Sequence, residues 1–143
     1  MKVYLAGPIN GCDDATAKDW REYTKQKLHP LGIETIDPMR RDYRGVEMEK
    51  FVEIVEGDKK DIDESDVVLA NASVPSAGTS MEILYAWESA AYVSKDLLII
   101  SIFSTPGKNP SPWVVYHSDK VVRSLDEAIQ AIQQASNTRP EIG

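Results

Sequence analysis

Two carboxylates in this sequence occupy positions that local folding rules do not explain. Asp58 falls on the same face of a predicted helix as Val55 and Ile62, where the pattern favours an apolar side chain. Glu82 begins a helix face of small and apolar residues, so its side chain should point into a crevice. Enzymes that transfer glycosyl groups commonly use one carboxylate as the nucleophile and another as the acid or base. The pair therefore raises glycosyl transfer as a candidate chemistry.

Each carboxylate also has a structural explanation, and the residues alone leave both interpretations open. Asp58 could be solvated, or paired with Lys59 or Lys60. Thr79 and Glu82 have capping-box spacing, so Glu82 could accept a hydrogen bond from the backbone N–H of Thr79. The other acidic residues near Asp58 are expected to be solvated or to introduce the next strand: Asp61, Asp63, Glu64 and Asp66.

The elements that must position these residues alternate between strand and helix. The predicted strands are nearly continuous apolar runs, which is typical of a parallel sheet covered on both faces by helices. In such sheets ligands bind beyond the carboxyl ends of the strands. The predicted strands are 2–7, 33–36, 66–71 and 97–103, and the predicted helices are 13 or 14 to 28, 46–64, 79–94 and 124–132.

Helical periodicity also predicts which faces are buried. On the first helix, one face carries Trp20, Tyr23, Lys27 and Leu28. On the second, the apolar stripe is Met48, Phe51, Val52, Val55 and Ile62. The turn PSAGTS before the third helix can present backbone N–H groups to an anion, but it has neither a Walker lysine nor G-x-G-x-x-G spacing.

Composition argues against a nucleic-acid-binding protein, a metalloprotein and a membrane-spanning protein. The 143 residues carry a net charge of −7, which argues against a nucleic-acid polymer as partner. The single cysteine, Cys12, fits a reducing cytoplasm, and with two histidines it makes a poor metal-ligand set. The apolar run 97–103 is too short to span a membrane, and the N-terminus has no secretion-signal pattern. We expect one domain over 1–135 and a frayed tail over 136–143.

Four motifs along the chain resemble the nucleoside 2-deoxyribosyltransferase-like family, which includes the 2'-deoxynucleoside 5'-phosphate N-hydrolases. They are VYLAGPING, DPMRRDYRG, the spacing of Asp58 from Asp66 at the head of DVVLAN, and PSAGTSMEILYA. The resemblance runs from Met1 to about Ile102. It implies a flavodoxin-like or Rossmann-like α/β fold with a five-stranded parallel sheet. It also implies a homodimer or higher homo-oligomer with shared sites, and no metal or organic cofactor.

The resemblance assigns roles to residues of this chain. Glu82 matches the nucleophile that attacks C1' of the sugar, Asp58 matches the residue that protonates the leaving base, and Tyr4 matches a tyrosine that orients the glutamate. A capping bond would lower the pKa of Glu82 and keep it ionised, whereas apolar neighbours would raise the pKa of Asp58. The substrate-binding candidates lie at the ends of the first three strands: Gly7, Pro8, Ile9, Asn10, Asp42, Ser76, Gly78 and Met81.

Two departures from the family pattern bear on the substrate. Pro8 and Asn10 occupy the places where the nucleotide hydrolases carry Ser and Arg to bind the 5'-phosphate. Arg40, Arg41, or His117 and Ser118 of a neighbouring subunit would have to supply that contact. Ser76 stands where the transferases have an aspartate that contacts the 5'-hydroxyl.

We therefore expect an enzyme that cleaves the N-glycosidic bond of 2'-deoxynucleosides or their 5'-monophosphates, by hydrolysis or base exchange. The reaction would be a retaining double displacement through Glu82. Two alternatives stay open: a glycohydrolase acting on NAD or a similar dinucleotide, and a regulatory module that binds nucleotides without turnover.

Overall fold

The computed structural model describes residues 1–93 and 95–138, and within them five strands form one parallel sheet. The strands are β1 (Lys2–Ala6), β2 (Glu34–Ile36), β3 (Val67–Asn71), β4 (Leu98–Ile102) and β5 (Lys120–Val122). Their spatial order is β2-β1-β3-β4-β5, which is the flavodoxin-like order. The predicted parallel α/β fold is confirmed.

Helices cover both faces of the sheet. They are α1 (Trp20–Leu28), α2 (Phe51–Asp63), α3 (Ala77–Tyr92), α4 (Pro112–Tyr116) and α5 (Leu125–Thr138). A π-helical segment, Ala15–Asp19, leads into α1, and short 3-10 turns occupy His29–Leu31 and Pro38–Arg40. Helices α1 and α5 pack on one face of the sheet, and α2, α3 and α4 pack on the other.

The alternation of side chains along β1 fixes which residues lie under the candidate site. Val3 and Leu5 point toward α1 and α5, whereas Tyr4 and Ala6 point toward α2 and α3. All four are fully buried. Tyr4 therefore lies directly beneath the two helices that carry the candidate carboxylates.

The buried face of α1 differs from the prediction. It consists of Ala17, Arg21, Thr24 and Leu28, at helical spacing. Tyr23 lies off this face and is 36% exposed, and its hydroxyl donates a hydrogen bond to the exposed carboxylate of Asp126 at 2.6 Å. The predicted face was wrong at Tyr23 and at the exposed Lys27.

The apolar stripe predicted for the second helix is mostly solvent-exposed. Helix α2 begins at Phe51 rather than 46, because turns occupy the residues before it. Ile62 is buried, as predicted. The rest of the stripe, called here the exposed α2 face, consists of Met48, Phe51, Val52 and Val55, which are 82%, 57%, 56% and 46% exposed.

The C-terminal part contains elements that the local pattern did not predict. Helix α4 and strand β5 are short, and α4 begins with Pro112 after the capping residue Ser111. Helix α5 continues to Thr138, so residues 136–138 of the expected tail are helical, and 139–143 lie outside the described residues. No helix among the described residues is long and apolar enough to cross a membrane.

Candidate active site

A cleft of about 210 Å³ opens at the carboxyl edge of the sheet, beyond β1, β2 and β3. The point between β1 and β3 is where the chain changes direction across the sheet, which is where this fold class binds ligands. The cleft is lined by Gly7, Ile9, Asn10, Pro38, Arg41, Tyr43, Arg44, Glu47, Ile54, Asp58, Ser76, Gly78, Thr79 and Glu82.

Glu82 reaches this cleft from the second turn of α3, and it does not cap the helix. Ser76 is the capping residue, since its Oγ accepts a hydrogen bond from the backbone N–H of Thr79 at 3.3 Å. Thr79 lies inside the helix, so the predicted capping box is wrong. Glu82 instead accepts a hydrogen bond from the hydroxyl of Tyr4.

The electrostatic environment of Glu82 is also opposite to the prediction. Burial and, after it, the negative charge of Asp58 raise the pKa of Glu82 to about 8. The Tyr4 hydrogen bond and the charge of Arg21 oppose this shift without cancelling it. The predicted lowering of the pKa was wrong because the surroundings of Glu82 are set by β1 and α2, which a local capping rule does not consider.

Asp58 faces the same cleft from α2. Burial raises its pKa, whereas Arg41, which lies 3.2 Å from Asp58 Oδ1, lowers it. The predicted direction of the shift is confirmed. The ion pair that Asp58 forms is with Arg41, not with the exposed Lys59 or Lys60.

A buried ion cluster lies behind Asp58. Asp61, one helical turn further along α2, accepts a hydrogen bond from Arg40 at 2.8 Å and from Arg41 at 2.8 Å. Its side chain is only 6% exposed. The expectation that Asp61 would be solvated was wrong, since the two arginines of the loop after β2 fold over it and compensate its charge.

Arg21 is a second buried charge that sequence reasoning missed. It is fully buried, and its guanidinium donates to the carbonyl oxygens of Leu5 and Gly7, while Asp37 lies 3.5 Å away. A Cβ on Gly7 would lie 2.6 Å from the ring of Trp20. Arg21 and the absence of a side chain at Gly7 thus hold the loop after β1 close to α1.

The structure brings most of the predicted site residues together. Tyr4 lies beneath the carboxylates of Asp58 and Glu82. Seven predicted site residues line the cleft: Gly7, Ile9, Asn10, Asp58, Ser76, Gly78 and Glu82.

Three predicted substrate-binding residues lie elsewhere. Pro8 lines a separate cleft with Trp20 and other residues, and Met81 is 70% exposed beside Trp113. Asp42 is paired with Arg44 at 2.7 Å. Arg44 itself lines the candidate cleft.

Several lining residues had no signal in the helical and strand patterns, because they lie in loops or on an exposed helix face. They are Tyr43, Arg44, Glu47 and Ile54. The motif DPMRRDYRG, which contains Tyr43 and Arg44, was the one sequence feature that pointed to this wall of the cleft. Among the residues that the structure describes, no group of three or more His, Cys, Asp and Glu is placed to hold a metal ion.

Comparisons with known proteins agree with this architecture. A family model described as nucleoside 2-deoxyribosyltransferase like matches residues 1–104. A CMP N-glycosidase from Clostridium botulinum has a TM-score of 0.58 and 18% sequence identity, over 94% of this chain and 99% of that chain. A conserved protein from Enterococcus faecalis V583 has a TM-score of 0.70 and 18% sequence identity, over 94% of this chain and 98% of that chain. The comparison with curated proteins gave no match. At this identity the structural likeness shows a shared fold.

Proposed function

Since the chain belongs to the nucleoside 2-deoxyribosyltransferase-like family, we propose that it cleaves the N-glycosidic bond of a 2'-deoxynucleoside or its 5'-monophosphate, by hydrolysis or base exchange. The observation that supports this most is the placement of Tyr4 beneath Asp58 and Glu82. Its hydroxyl donates a hydrogen bond to Glu82, and Asp58 and Glu82 line the same cleft.

The proposed reaction is a double displacement. The ionised carboxylate of Glu82 attacks C1' of the sugar, the C1'–N bond breaks, and the proton of Asp58 moves to the departing nitrogen. The products of this step are a glycosyl ester on Glu82 and the neutral base. Asp58, now ionised, then removes a proton from water or from an incoming base, and that nucleophile displaces Glu82 from C1'.

The raised pKa values fit a pair that shares one proton. The negative charge of Asp58 disfavours the ionised form of Glu82. The reactive state has Glu82 ionised and Asp58 protonated. The hydrogen bond from Tyr4 and the charge of Arg21 stabilise ionised Glu82, and thus support this state.

The substrate class is proposed from the family, and a protein of the same fold is by its name an N-glycosidase of CMP. The sugar would lie over Glu82, between the loop after β1 and the start of α3. Ser76 and Gly78 would contact its 5' substituent. Arg41 and Arg44 line the opposite wall, although each already contacts a carboxylate.

We also propose that a second copy of the chain completes the site. The cleft is smaller than the roughly 300–1,000 Å³ typical of ligand pockets. The exposed α2 face begins beside it, and exposed apolar patches mark interaction surfaces. Phe51→Glu should therefore convert a dimer into a monomer in sedimentation analysis, whereas Glu53→Gln on the same helix should not.

We also propose that the protein acts in the cytoplasm. Its single cysteine, Cys12, is half-buried and unpaired, which is consistent with a reducing compartment.

Base release measured by chromatography tests the proposed function. Deoxynucleosides and their 5'-monophosphates should release base, alone or when a second free base is added. Glu82→Gln should reduce turnover by at least about a thousandfold, while Glu88→Gln, at an exposed position on the same helix, should have wild-type activity. Rapid quenching should give a protein mass increased by one deoxyribosyl group with a nucleoside, or by one 5-phosphodeoxyribosyl group with a monophosphate, in the wild type and not in Glu82→Gln.

Three results would contradict the proposal. The first is full activity in Glu82→Gln, and the second is the absence of a covalent adduct during turnover. The third is tight nucleotide binding without any base release, which would favour a regulatory module. Release of nicotinamide from NAD alone would favour the dinucleotide glycohydrolase.

A further inference from the structure

Gly57 lies in the interior of α2, where glycine is the least favoured helix residue except proline. A Cβ at this position would lie 3.1 Å from Cζ and 3.1 Å from Nη2 of Arg41. That spacing is tighter than ordinary van der Waals contact. Gly57 therefore provides the space in which the guanidinium group of Arg41 lies flat against the helix.

From this position, Arg41 contacts two carboxylates of the same helix. Its Nη2 donates to Asp61 Oδ2 at 2.8 Å and to Asp58 Oδ1 at 3.2 Å. Asp61 is the buried partner and is also bound by Arg40, so it fixes the guanidinium. Asp58 is the partner that faces the cleft.

The charged and titratable groups around Asp58 come from four elements. Arg41 approaches from the loop after β2, Tyr4 from β1 and Glu82 from α3, while Asp61 lies on α2 itself. Arg41 is the one cation among them. Arg40 pairs with the other carboxylate oxygen of Asp61, Oδ1, and forms no hydrogen bond or ion pair with Asp58.

We propose that Arg41 is a positioning residue that acts through Asp58, holding its carboxyl toward the cleft and setting the pH range in which it can donate a proton. This inference rests on the proposed function for its catalytic meaning, but the coupling of Arg41 to Asp58 is a property of the chain itself. Arg41 favours the ionised form of Asp58, and Asp61 keeps Arg41 in place. Gly57 provides the room for that contact.

The chain offers a matched control, because Arg40 shares the anchor Asp61 without a hydrogen bond or ion pair to Asp58. Asp58 is followed by ¹³C NMR of the side-chain carboxyl groups, assigned with Asp58→Asn, in the wild type, Arg41→Gln and Arg40→Gln. In Arg41→Gln, Asp58 should titrate at a pH higher by about one unit or more. In Arg40→Gln it should titrate as in the wild type. Equal titration of Asp58 in wild type and Arg41→Gln, or an equal change in both variants, would overturn the proposal.

Activity gives a second, independent readout. In Arg41→Gln the alkaline limb of the kcat/KM profile should move to higher pH, and kcat should fall by about tenfold to a hundredfold with KM changed less than about twofold. Gly57→Ala should shift the alkaline limb and lower kcat in the same directions but by smaller amounts. Arg41→Lys should retain most of the wild-type pH profile that Arg41→Gln loses.

These effects should be the same for nucleosides and 5'-monophosphates. A loss confined to the KM of monophosphates, with an unchanged pH profile, would make Arg41 a phosphate contact and would overturn the proposal. If the wild type released no base at all, the proposed function would fail, and the NMR titration would still decide whether Arg41 controls Asp58.

Discussion

Replacing Glu82 by glutamine should stabilise the folded protein at alkaline pH. Glutamine keeps the shape of the side chain, and its carbonyl oxygen can still accept the hydrogen bond from Tyr4. It removes the need to bury a negative charge beside Asp58. The pKa of Glu82 is raised from an ordinary value of 4.5 to about 8, so the folded chain retains a proton that the unfolded chain has lost.

The sign and size of the effect follow from that difference. Below about pH 4.5 the Glu82 carboxyl is protonated in both the folded and the unfolded chain, so its burial does not lower the free energy of unfolding. As the pH rises from about 4.5 to about 8, the free energy of unfolding falls. Above about pH 8 the contribution of Glu82 is constant. At 1.36 kcal/mol per pH unit, the full penalty is roughly 5 kcal/mol. Since Glu82 opens onto the cleft and is only partly buried, we expect about half of it, roughly 2–3 kcal/mol.

The assay is urea unfolding of the wild type and Glu82→Gln across this pH range, with Glu88→Gln as the control. The unfolding free energies of wild type and Glu82→Gln should agree near the acid end and diverge steadily up to about pH 8. The control should follow the wild type. Parallel curves for wild type and Glu82→Gln, or a glutamine variant less stable at alkaline pH, would refute the argument from burial.

Three further predictions concern activity and the loop after β1. The kcat/KM for base release should decline above about pH 8, where the carboxylate pair loses its shared proton, and a profile flat into the alkaline range would contradict this. Asp58→Asn should slow substrates with poor leaving bases most, at least about tenfold more than those with good ones, and equal losses would exclude the acid role. Gly7→Ala should lose about 1–3 kcal/mol in urea unfolding, because the new Cβ meets Trp20, and unchanged stability would show that Trp20 can move aside.

The sequence predicted the features of this fold that repeat along the chain. Apolar runs located four of the strands, and the odd placement of Asp58 and Glu82 singled out the two carboxylates that the cleft brings together. Strand β5 was missed because it is short and half-exposed, which leaves little apolar signal. The exposed α2 face shows another limit: periodicity indicates that an apolar stripe exists, but not what covers it.

Buried charges were harder to predict, because their compensation comes from distant parts of the chain. Arg21 and Asp61 are charged residues at buried positions, and a pattern-based reading assigns charges to the surface. Their partners are the carbonyl oxygens that follow β1 and the arginines that follow β2. The pKa of Glu82 was mispredicted for the same reason, since burial against distant elements and the charge of Asp58 raise it, and neither is visible in the neighbouring turns.

The hydrogen bond between Tyr4 and Glu82 joins residues 78 positions apart, and this separation has a consequence for folding. The bond can form only after β3 has paired with β1 and α3 has packed over them, steps that require a long loop to close. The unfavourable burial of the Glu82 carboxylate is therefore incurred late. It should accelerate unfolding more than it slows folding, so Glu82 should limit the lifetime of the native state rather than the route by which the chain reaches it.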